Sequence, residues 1–437
     1  MLQKMANFFD RIMRQYTPDP FVIAIALSAI VIILASLTTP HSTGEVLHQW
    51  GSGFWNLITF TLQMAMILLG GYVMATSKPV QWLLHRLAQS VRSPVMAIAL
   101  ATFVAGIASW LNWGLGLVVG AFFAIELAKA HPGINFRLLV ASSYSGFLLW
   151  HGGLSGSIPL LLNTKGNFTE DLMGGRIIPL SDTLFSPFNL VVLASLFVLL
   201  PLLNSLMAKP EDPQTFLFTN EPEEQDRVAE TFADRLDDSP VVTIVLAAMG
   251  LGFLMQQVLR GEFALDLNRI NFLFFFIGLL LHWRPRRFLV AALEGAKKTG
   301  PILIQYPLYA GIMGVMVKSG LADSMSQVFV NVANAKTLPL LTFFSAGLVN
   351  FFVPSGGGQW AVQAPVVIPA AQQLGADIPL TAMAVAWGDS WTNLAQPFWA
   401  LPLLAIAGLK IRDIMGYCLM ALLFSGLILS VGLLIFA

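Results

Sequence analysis

The most restrictive feature of this sequence is a series of long apolar stretches that recurs from near its first residue to its last. They lie at 21–38, 55–76, 138–161, 187–207, 240–258, 301–318 and 413–437, with a shorter one at 270–283, and their only charges are Lys318 and Asp413 at two ends. A bilayer core of roughly 30 Å takes about 20 apolar residues per helix. The stretches therefore predict membrane-spanning helices, and the fold class is an all-α polytopic membrane protein.

Charge and cysteine content exclude several other classes of protein. Only 11% of the residues are charged, whereas soluble domains have about 25%. The 24 basic and 24 acidic residues give no net charge, so the basic surface that binds nucleic acid is missing. Cys418 is the only cysteine, which excludes a disulfide within the chain. We expect no nucleic-acid partner, no metal centre and no organic cofactor.

Two uncharged stretches, 93–125 and 337–376, are too long for one helix and contain no polar loop between two. The first is interrupted at 112–116 (NWGLG), and the second at Asn350 and again at 354–358 (PSGGG). Irregular backbone at membrane depth is tolerated only inside protein or beside a wet cavity. We therefore expect re-entrant helical hairpins at about 93–130 and 338–376. Two closely spaced full spans with a Gly-rich turn are the alternative.

The spans that follow the hairpins, 138–161 and 378–409, are expected to be broken helices. Their breaks are predicted at 150–159 (WHGGLSGSIP) and 388–397 (GDSWTNLAQP). New half-helices present free N–H groups, which bind anions without a basic side chain. The alternative is that these small residues only allow close helix packing. The candidate substrate-binding residues at the hairpin tips and breaks are Asn112, Gly114, Ser155, Ser157, Asn350, Ser355, Gly356, Gly357, Gly358, Gln359, Asn393 and Gln396.

The order of elements suggests two inverted repeats. Residues 1–207 contain spans, a hairpin, a broken helix and a closing span, and 270–437 repeat this order. Between them, 208–269 comprise an acidic cytoplasmic linker and one extra crossing, which inverts the second repeat. With a cytoplasmic N-terminus, inner segments contain 18 of the 24 Lys and Arg residues, as the positive-inside rule requires. Inverted repeats with paired hairpins are typical of secondary transporters, whose sites lie near mid-membrane.

Asp389 is the one acid well inside a span, where ionisation costs roughly 2.5 to 3.5 kcal/mol. It could carry a coupling proton, or bind Na⁺ together with carbonyls unwound at Thr392 and Asn393. A hydrogen-bonded structural acid is the alternative. His151, beside the first break, could take part in proton transfer or be a structural donor.

Several strings resemble the bacterial short-chain fatty acid transporter family. They are FFVPSGGGQWAVQAPVVIPAAQQLGAD (351–377), SWTNLAQPFWALPLLAIAGLKIRDIMGYC (390–418), GFWNLITFTLQMAMILLGG (53–71), NWGLGLVVGAFFA (112–124) and SGSIPLL (155–161). The resemblance covers nearly the whole chain and is weakest over 208–239. It implies an elevator-type carrier of the ion-transporter superfamily, often dimeric, for monocarboxylates such as butyrate and acetoacetate. It places residues 355–359 at the second hairpin tip, and Asn393, Gln396 and Pro397 at the second break.

Together these observations predict a cation-coupled symporter of short monocarboxylates, with H⁺ or Na⁺ as the coupling ion. It would be a homodimer in a bacterial inner membrane, surrounded by lipid. Alternatives are a carrier of another small organic anion, an exporter, a passive anion channel, or an intramembrane hydrolase using Ser155 or Ser157 with His151. The sequence around Ser155 lacks the G-x-S-x-G elbow of a hydrolase.

Overall fold

A computed structural model describes residues 18–208, 231–396 and 398–437, and these residues fold into helices joined by short connections. The helices are α1 (Pro20–Thr38), α2 (Thr43–Gly53), α3 (Ile58–Ala75), α4 (Lys78–Ser90), α5 (Pro94–Leu111), α6 (Trp113–Ala130), α7 (Phe136–Gly146), α8 (Ser157–Leu162), α9 (Pro187–Leu206), α10 (Phe232–Asp237), α11 (Pro240–Leu259), α12 (Leu267–His282), α13 (Pro285–Lys297), α14 (Gly300–Lys318), α15 (Leu321–Val332), α16 (Leu338–Val349), α17 (Gly356–Leu374), α18 (Ile378–Thr392), α19 (Ala400–Ala407) and α20 (Ile411–Phe436). Short 3₁₀ turns lie at Phe147–Trp150, Asp171–Met173 and Leu180–Asp182.

The predicted all-helical membrane class is confirmed. Among the described residues, eight helices of 18 to 26 residues are long and apolar enough to cross a bilayer, namely α1, α3, α5, α6, α9, α11, α14 and α20. The shorter apolar helices α12 and α16 have 16 and 12 residues. Three parts of the chain lie outside the described residues. They are residues 1–17 at the N-terminus, most of the acidic linker (209–230) and Pro397.

Several spans begin with a capping side chain followed directly by proline. Asp19 accepts a hydrogen bond from the N–H of Phe21 (2.8 Å) at the start of α1, and Ser93 accepts from Met96 (3.2 Å) at the start of α5. The capping oxygen satisfies an N–H without an intrahelical partner, and proline removes another. These signals set where the spans begin.

The same order of elements occurs twice along the chain. In each repeat a long helix (α3, α14) precedes a short surface helix (α4, α15), a hairpin (α5–α6, α16–α17), a broken helix (α7–α8, α18–α19) and a closing span (α9, α20). The repeats interlock, because α1 packs on α14 and α12 packs on α3. In the hairpin units, α5 packs on α6 and α7, and α16 packs on α18.

The first break agrees with the prediction, whereas the second begins later than predicted. Helix α18 continues through Gly388 to Thr392, and the break starts at Asn393. A Cβ on Gly388 would overlap the carbonyl oxygen of Phe343, so this glycine allows close packing on α16 and does not break the helix. The Thr392 carbonyl, predicted to be unwound, accepts hydrogen bonds from the N–H groups of Ala395 and Gln396 (both 2.9 Å).

Four short helices between spans were not predicted, because their segments were assigned to loops, and the six-residue α10 in the predicted linker was not predicted either. The four are α2, α4, α13 and α15; each buries part of its surface, and α13 and α15 also expose apolar side chains such as Leu289 and Val328. Amphipathic helices of this kind lie along a membrane surface. They lengthen the connections between spans without adding crossings.

Candidate functional site

A small cavity of about 20 Å³ lies where the two hairpin tips meet the broken helices and the long helices α3 and α14. Trp113 comes from the first hairpin tip, and Ser355 to Gly357 come from the second. The tips of both hairpins therefore reach one cavity, as the re-entrant interpretation requires. The lining residues are Met64, Trp113, Phe147, Trp150, Ser157, Ile302, Tyr306, Ser355, Gly356, Gly357 and Trp399.

At the first hairpin tip, predicted binding residues are engaged in structural hydrogen bonds. The side chain of Asn112 caps α6 by accepting from the N–H of Leu115 (2.9 Å), and it donates to the carbonyl of Ile67 on α3 (3.1 Å). The hydroxyl of Ser155 accepts from the N–H of Trp113 (2.8 Å). A Cβ on Gly114 would lie 3.0 Å from backbone of α3. Asn112, Gly114 and Ser155 do not line the cavity, but they hold Trp113 in its wall.

At the second hairpin tip, Ser355 precedes α17 but does not cap it with its side chain. Its hydroxyl instead forms a 2.6 Å hydrogen bond with the hydroxyl of Tyr306 on α14. In the described chain, the N–H groups of Gly356 and Gly357 donate to no other residue. The N-terminus of the 19-residue helix α17, which carries a partial positive charge, thus lies at the cavity.

Each of the three tip glycines is in close contact with a neighbouring side chain. A Cβ on Gly356 would overlap Cε1 of His151 and lie 2.8 Å from Oγ of Ser157, and one on Gly357 would overlap the ring of Phe60. A Cβ on Gly358 would lie 2.5 Å from Cδ2 of Tyr309. At all three positions the absence of a side chain therefore allows close packing. Their close approach also brings the N–H groups of Gly356 and Gly357 to the cavity.

Asp389 and His151, which are 238 residues apart, form a buried hydrogen-bonded pair behind the cavity wall. Oδ2 of Asp389 lies 3.2 Å from Nδ1 of His151, and both side chains are fully buried. Nε2 of His151 lies 3.0 Å from Oγ of Ser157 and accepts from the N–H of Ile158 at 3.3 Å. With Nε2 accepting from Ile158, Nδ1 is the ring nitrogen that faces Asp389. Ser157 lines the cavity, so it connects the pair to that space.

A second polar network surrounds the break after α18. Nδ2 of Asn350 lies 2.9 Å from the Asp389 carbonyl, from Oγ1 of Thr392 and from Oδ1 of Asn393. Gln396 also donates to Oδ1 of Asn393 (2.9 Å). With the oxygen and nitrogen of the Asn393 amide exchanged, its oxygen would accept from Nε1 of Trp150 at 3.2 Å. These residues brace the break behind the wall.

Several buried oxygens near these networks have no hydrogen-bond partner in the described chain. They include Oδ1 of Asp389, Oδ1 of Asn350 and Oε1 of Gln359. The amide nitrogen of Gln359 and the backbone N–H of Asn350 both donate to the carbonyl of Ala346, so these two residues meet there. No cluster of three His, Cys, Asp or Glu side chains suited to a transition metal occurs among the described residues.

The cavity brings together only part of the predicted set. Ser157, Ser355, Gly356 and Gly357 line it, whereas the other candidates lie behind the wall. Tyr306, Trp399 and Trp113 also line the cavity but are not among the residues predicted from the sequence. A tyrosine next to Pro307 inside a membrane stretch, and a tryptophan directly after a break, are signals that could have identified the first two.

Comparison with known proteins agrees with this architecture. The model of the family described as "Short chain fatty acid transporter" matches residues 1–436. A protein of Escherichia coli (strain K12), which carries the provisional name of a short-chain fatty acid transporter, is 44% identical over 442 residues, with 100% of both chains covered. A protein of Haemophilus influenzae (strain ATCC 51907 / DSM 11121 / KW20 / Rd) with the same provisional name is 40% identical over 447 residues, with 99% of both covered.

The fold is also found in a solved structure. The crystal structure of the Alcanivorax borkumensis YdaH transporter, described as having an unusual topology, matches with a TM-score of 0.66. Identity is 16%, and the match covers 96% of this chain and 98% of that one, so the likeness concerns the fold alone. The family match over nearly every residue, together with two full-length relatives, confirms the resemblance seen in the sequence. The chain belongs to the short-chain fatty acid transporter family.

Proposed function

We propose that this protein is a cation-coupled symporter of short monocarboxylates such as butyrate and acetoacetate. The observation that carries the proposal is the cavity between the hairpin tips, which combines uncharged hydrogen-bond donors with apolar and aromatic walls. Its lining residues include no Lys or Arg. Such a site suits one carboxylate with a short apolar tail, whereas a dicarboxylate or a phosphate calls for more positive charge.

The carboxylate would bind at the start of α17. The N–H groups of Gly356 and Gly357 are available there, and the hydroxyls of Ser355 and Tyr306 lie beside them. Helix N-termini bind anions through free N–H groups and the partial positive charge of the helix. The two hydroxyls can rotate toward the anion because each is both a donor and an acceptor.

The buried pair of Asp389 and His151 supports a proton as the coupling ion. In the neutral tautomer, Nε2 of His151 can accept a proton from the cavity through Oγ of Ser157 (3.0 Å). The imidazolium would be stabilised by Asp389 at Nδ1 (3.2 Å). Without that proton, a substrate carboxylate would enter beside an uncompensated buried carboxylate, and like charges at low dielectric repel strongly. Uptake of the anion would therefore require the proton.

Na⁺ is the second candidate for the coupling ion, because it could bind the unpartnered oxygens of Asp389, Asn350 and Gln359. A hard cation binds carboxylate and amide oxygens, and a buried oxygen without a partner costs free energy. A Na⁺ ion between α16 and α18 near Asp389 and Asn393 would satisfy such oxygens. The carbonyl of Thr392 is not available to it, since that group already accepts two hydrogen bonds.

The hydrogen-bonded order of Ser157, His151 and Asp389 is also that of a serine hydrolase triad. The relatives that match the full chain are named as transporters, which favours a carrier over a hydrolase. The remaining features of the proposal are a bacterial inner membrane, a cytoplasmic N-terminus, a homodimer and an elevator-type movement. Transport of another small organic anion, or export of the same acids, would use the same cavity.

Uptake into proteoliposomes tests the function and the coupling ion together. Labelled butyrate and acetoacetate are offered while the pH gradient and the Na⁺ gradient are varied independently. We expect saturable accumulation that follows one of the two gradients. Flux that changes with neither gradient would refute cation coupling. Conductance that does not saturate with substrate would indicate a channel.

Replacing Tyr306 by Phe tests the carboxylate position. Loss of one hydroxyl at 2.6 Å from Ser355 should raise the KM for butyrate roughly tenfold, because a hydrogen bond to a charged group contributes about 1.5 to 3 kcal/mol. Tyr309→Phe is the matched control, since that hydroxyl lies 3.4 Å from Gln305 and does not line the cavity. Equal KM values for the two variants would exclude this position.

A further inference from the structure

We infer that four aromatic side chains form a closed box at one end of the cavity and thereby limit the length of the acyl tail that the site accepts. The box consists of Trp113, Phe147, Trp150 and Trp399, all of which line the cavity. The inference rests on the proposed function and adds to it the part of the site that selects among acids of different length.

The four rings contact one another in a cycle. Ring centroids are 5.2 Å apart for Trp113 and Trp399, 6.3 Å for Trp399 and Phe147, 6.0 Å for Phe147 and Trp150, and 6.2 Å for Trp150 and Trp113. Aromatic pairs in contact have centroids about 4.5 to 7 Å apart. Each ring therefore touches its two neighbours, so the four rings form one continuous part of the cavity wall.

The box and the donors come from different elements. The donors, at Ser355, Gly356 and Tyr306, come from the second hairpin tip and α14. The rings come from the first hairpin tip, the 3₁₀ turn after α7 and the second break. An acid whose carboxylate reaches the donors can therefore direct its tail at the rings.

Three of the four rings have little freedom to move aside, whereas Trp399 is partly exposed. Trp113, Phe147 and Trp150 are 5%, 3% and 4% exposed. Trp150 also stacks on His151 with centroids 3.9 Å apart. A longer tail would have to displace a packed ring. One methylene group in a rigid pocket changes selectivity by about tenfold or more.

Competition by straight-chain acids tests the inference. Uptake of labelled butyrate into proteoliposomes is inhibited by unlabelled acids of increasing length, from acetate to octanoate, for the wild type and for Trp399→Ala. In the wild type we expect inhibition to strengthen with each methylene and then to fall abruptly. In Trp399→Ala the fall should occur at a longer acid, with hexanoate gaining at least about tenfold relative to butyrate.

Two further variants serve as controls. Trp399→Phe keeps a ring in the box and should retain a cut-off close to that of the wild type. Trp82→Ala removes a tryptophan that is 60% exposed on α4, far from the cavity lining, and should leave the profile unchanged. If Trp399→Ala does not fold, Phe147→Ala opens the same box from another element and is expected to shift the cut-off in the same direction.

The outcomes separate this inference from the proposed function. Wild-type protein that takes up no short acid would refute the function itself. Wild-type uptake with an unchanged length profile in the variant that opens the box would overturn the inference and leave the function standing. The same holds if the wild type shows no cut-off up to octanoate.

Discussion

Asp389 is a fully buried acid whose carboxylate contacts the ring of His151 through one oxygen, while its other oxygen has no partner in the described chain. Ionisation of an acid at the centre of a span costs roughly 2.5 to 3.5 kcal/mol. A buried acid of this kind must therefore be protonated or have its negative charge compensated by a nearby cation. At the scale of single residues, this pair is the clearest candidate for coupling.

Replacing Asp389 by Asn should abolish accumulation of butyrate above equilibrium while leaving counterflow. Asn retains the size and can accept from Nδ1 of His151, but it cannot stabilise an imidazolium or a bound cation. The measurement is the steady-state accumulation ratio in proteoliposomes. Asp323→Asn, at an exposed acid in the first turn of α15, is the control. Undiminished accumulation in Asp389→Asn would assign this acid to structure.

Replacing Gly356 by Ala should abolish uptake and lower the free energy of unfolding by about 1 to 3 kcal/mol, as overpacking does. The added methyl group would overlap His151 and crowd Ser157, so the hairpin tip could not close. Uptake and thermal unfolding in detergent are the measurements. Gly252→Ala on α11 is the matched control, since nothing lies within 4 Å of its Cβ position. Normal uptake by the Gly356 variant would show that the tip does not close against His151 during transport.

At the scale of elements, each hairpin tip is tied to a different neighbour. The first tip is held by Ser155, which belongs to the break between α7 and α8, and by α3 through Asn112. The second tip contacts Tyr306 on α14. The polar residues predicted to bind substrate therefore fall into two groups. Some fix the hairpin tips by hydrogen bonds, and others line the cavity.

Replacing Ser155 by Ala should destabilise the protein without altering which acid it prefers. The N–H of Trp113 would be left buried without its acceptor, which costs about 1 to 3 kcal/mol. Thermal unfolding and the inhibition profile of short acids measure the two effects. Ser195→Ala is the control, because that exposed hydroxyl bonds only to the carbonyl of Val191 in its own helix. A changed preference among acids would place Ser155 in direct contact with substrate.

At the scale of the whole molecule, the two repeats form one interlocked unit through α1 with α14 and α12 with α3. The cavity lies between α3 and α14 on one side and the hairpin and broken-helix elements on the other. This arrangement suits a movement of the second group past the first. The segment after α8 meets the start of α12 across that boundary, where Asn163 donates to the carbonyl of Leu265 (2.9 Å) and the N–H of Leu267 donates to Oγ1 of Thr164 (3.2 Å).

Cross-linking across this boundary should stop transport. Asn163→Cys combined with Leu265→Cys, joined by a short bifunctional thiol reagent, is expected to block butyrate uptake, because the elements could no longer move past each other. Gln63→Cys with Asn268→Cys is the control pair, since those side chains, 2.8 Å apart, join α3 and α12 on the same side of the boundary. Equal uptake by both cross-linked pairs would exclude a movement at this boundary.

Much of the architecture could be predicted from the sequence alone. The spans α1, α9, α11, α14 and α20 fall where the uncharged stretches do, because lipid admits few structures besides helices that satisfy their own backbone. The turns of both hairpins were also predicted, since Asn112 and the PSGGG segment interrupt stretches too long for one helix. Gly388 was interpreted wrongly as a break, because a glycine that allows close packing and one that ends a helix look the same in a sequence.

The sequence by itself therefore determined an all-helical membrane chain with two hairpins and a transporter family, because these follow from charge, apolar length and characteristic strings. Only the tertiary structure decided which polar groups face the cavity. Asn112 and Ser155 form structural hydrogen bonds, whereas Tyr306 and Trp399 line the cavity. The pairing of His151 with Asp389 spans 238 residues. Contacts of this range depend on how helices rotate and pack against one another, and local sequence does not encode that rotation.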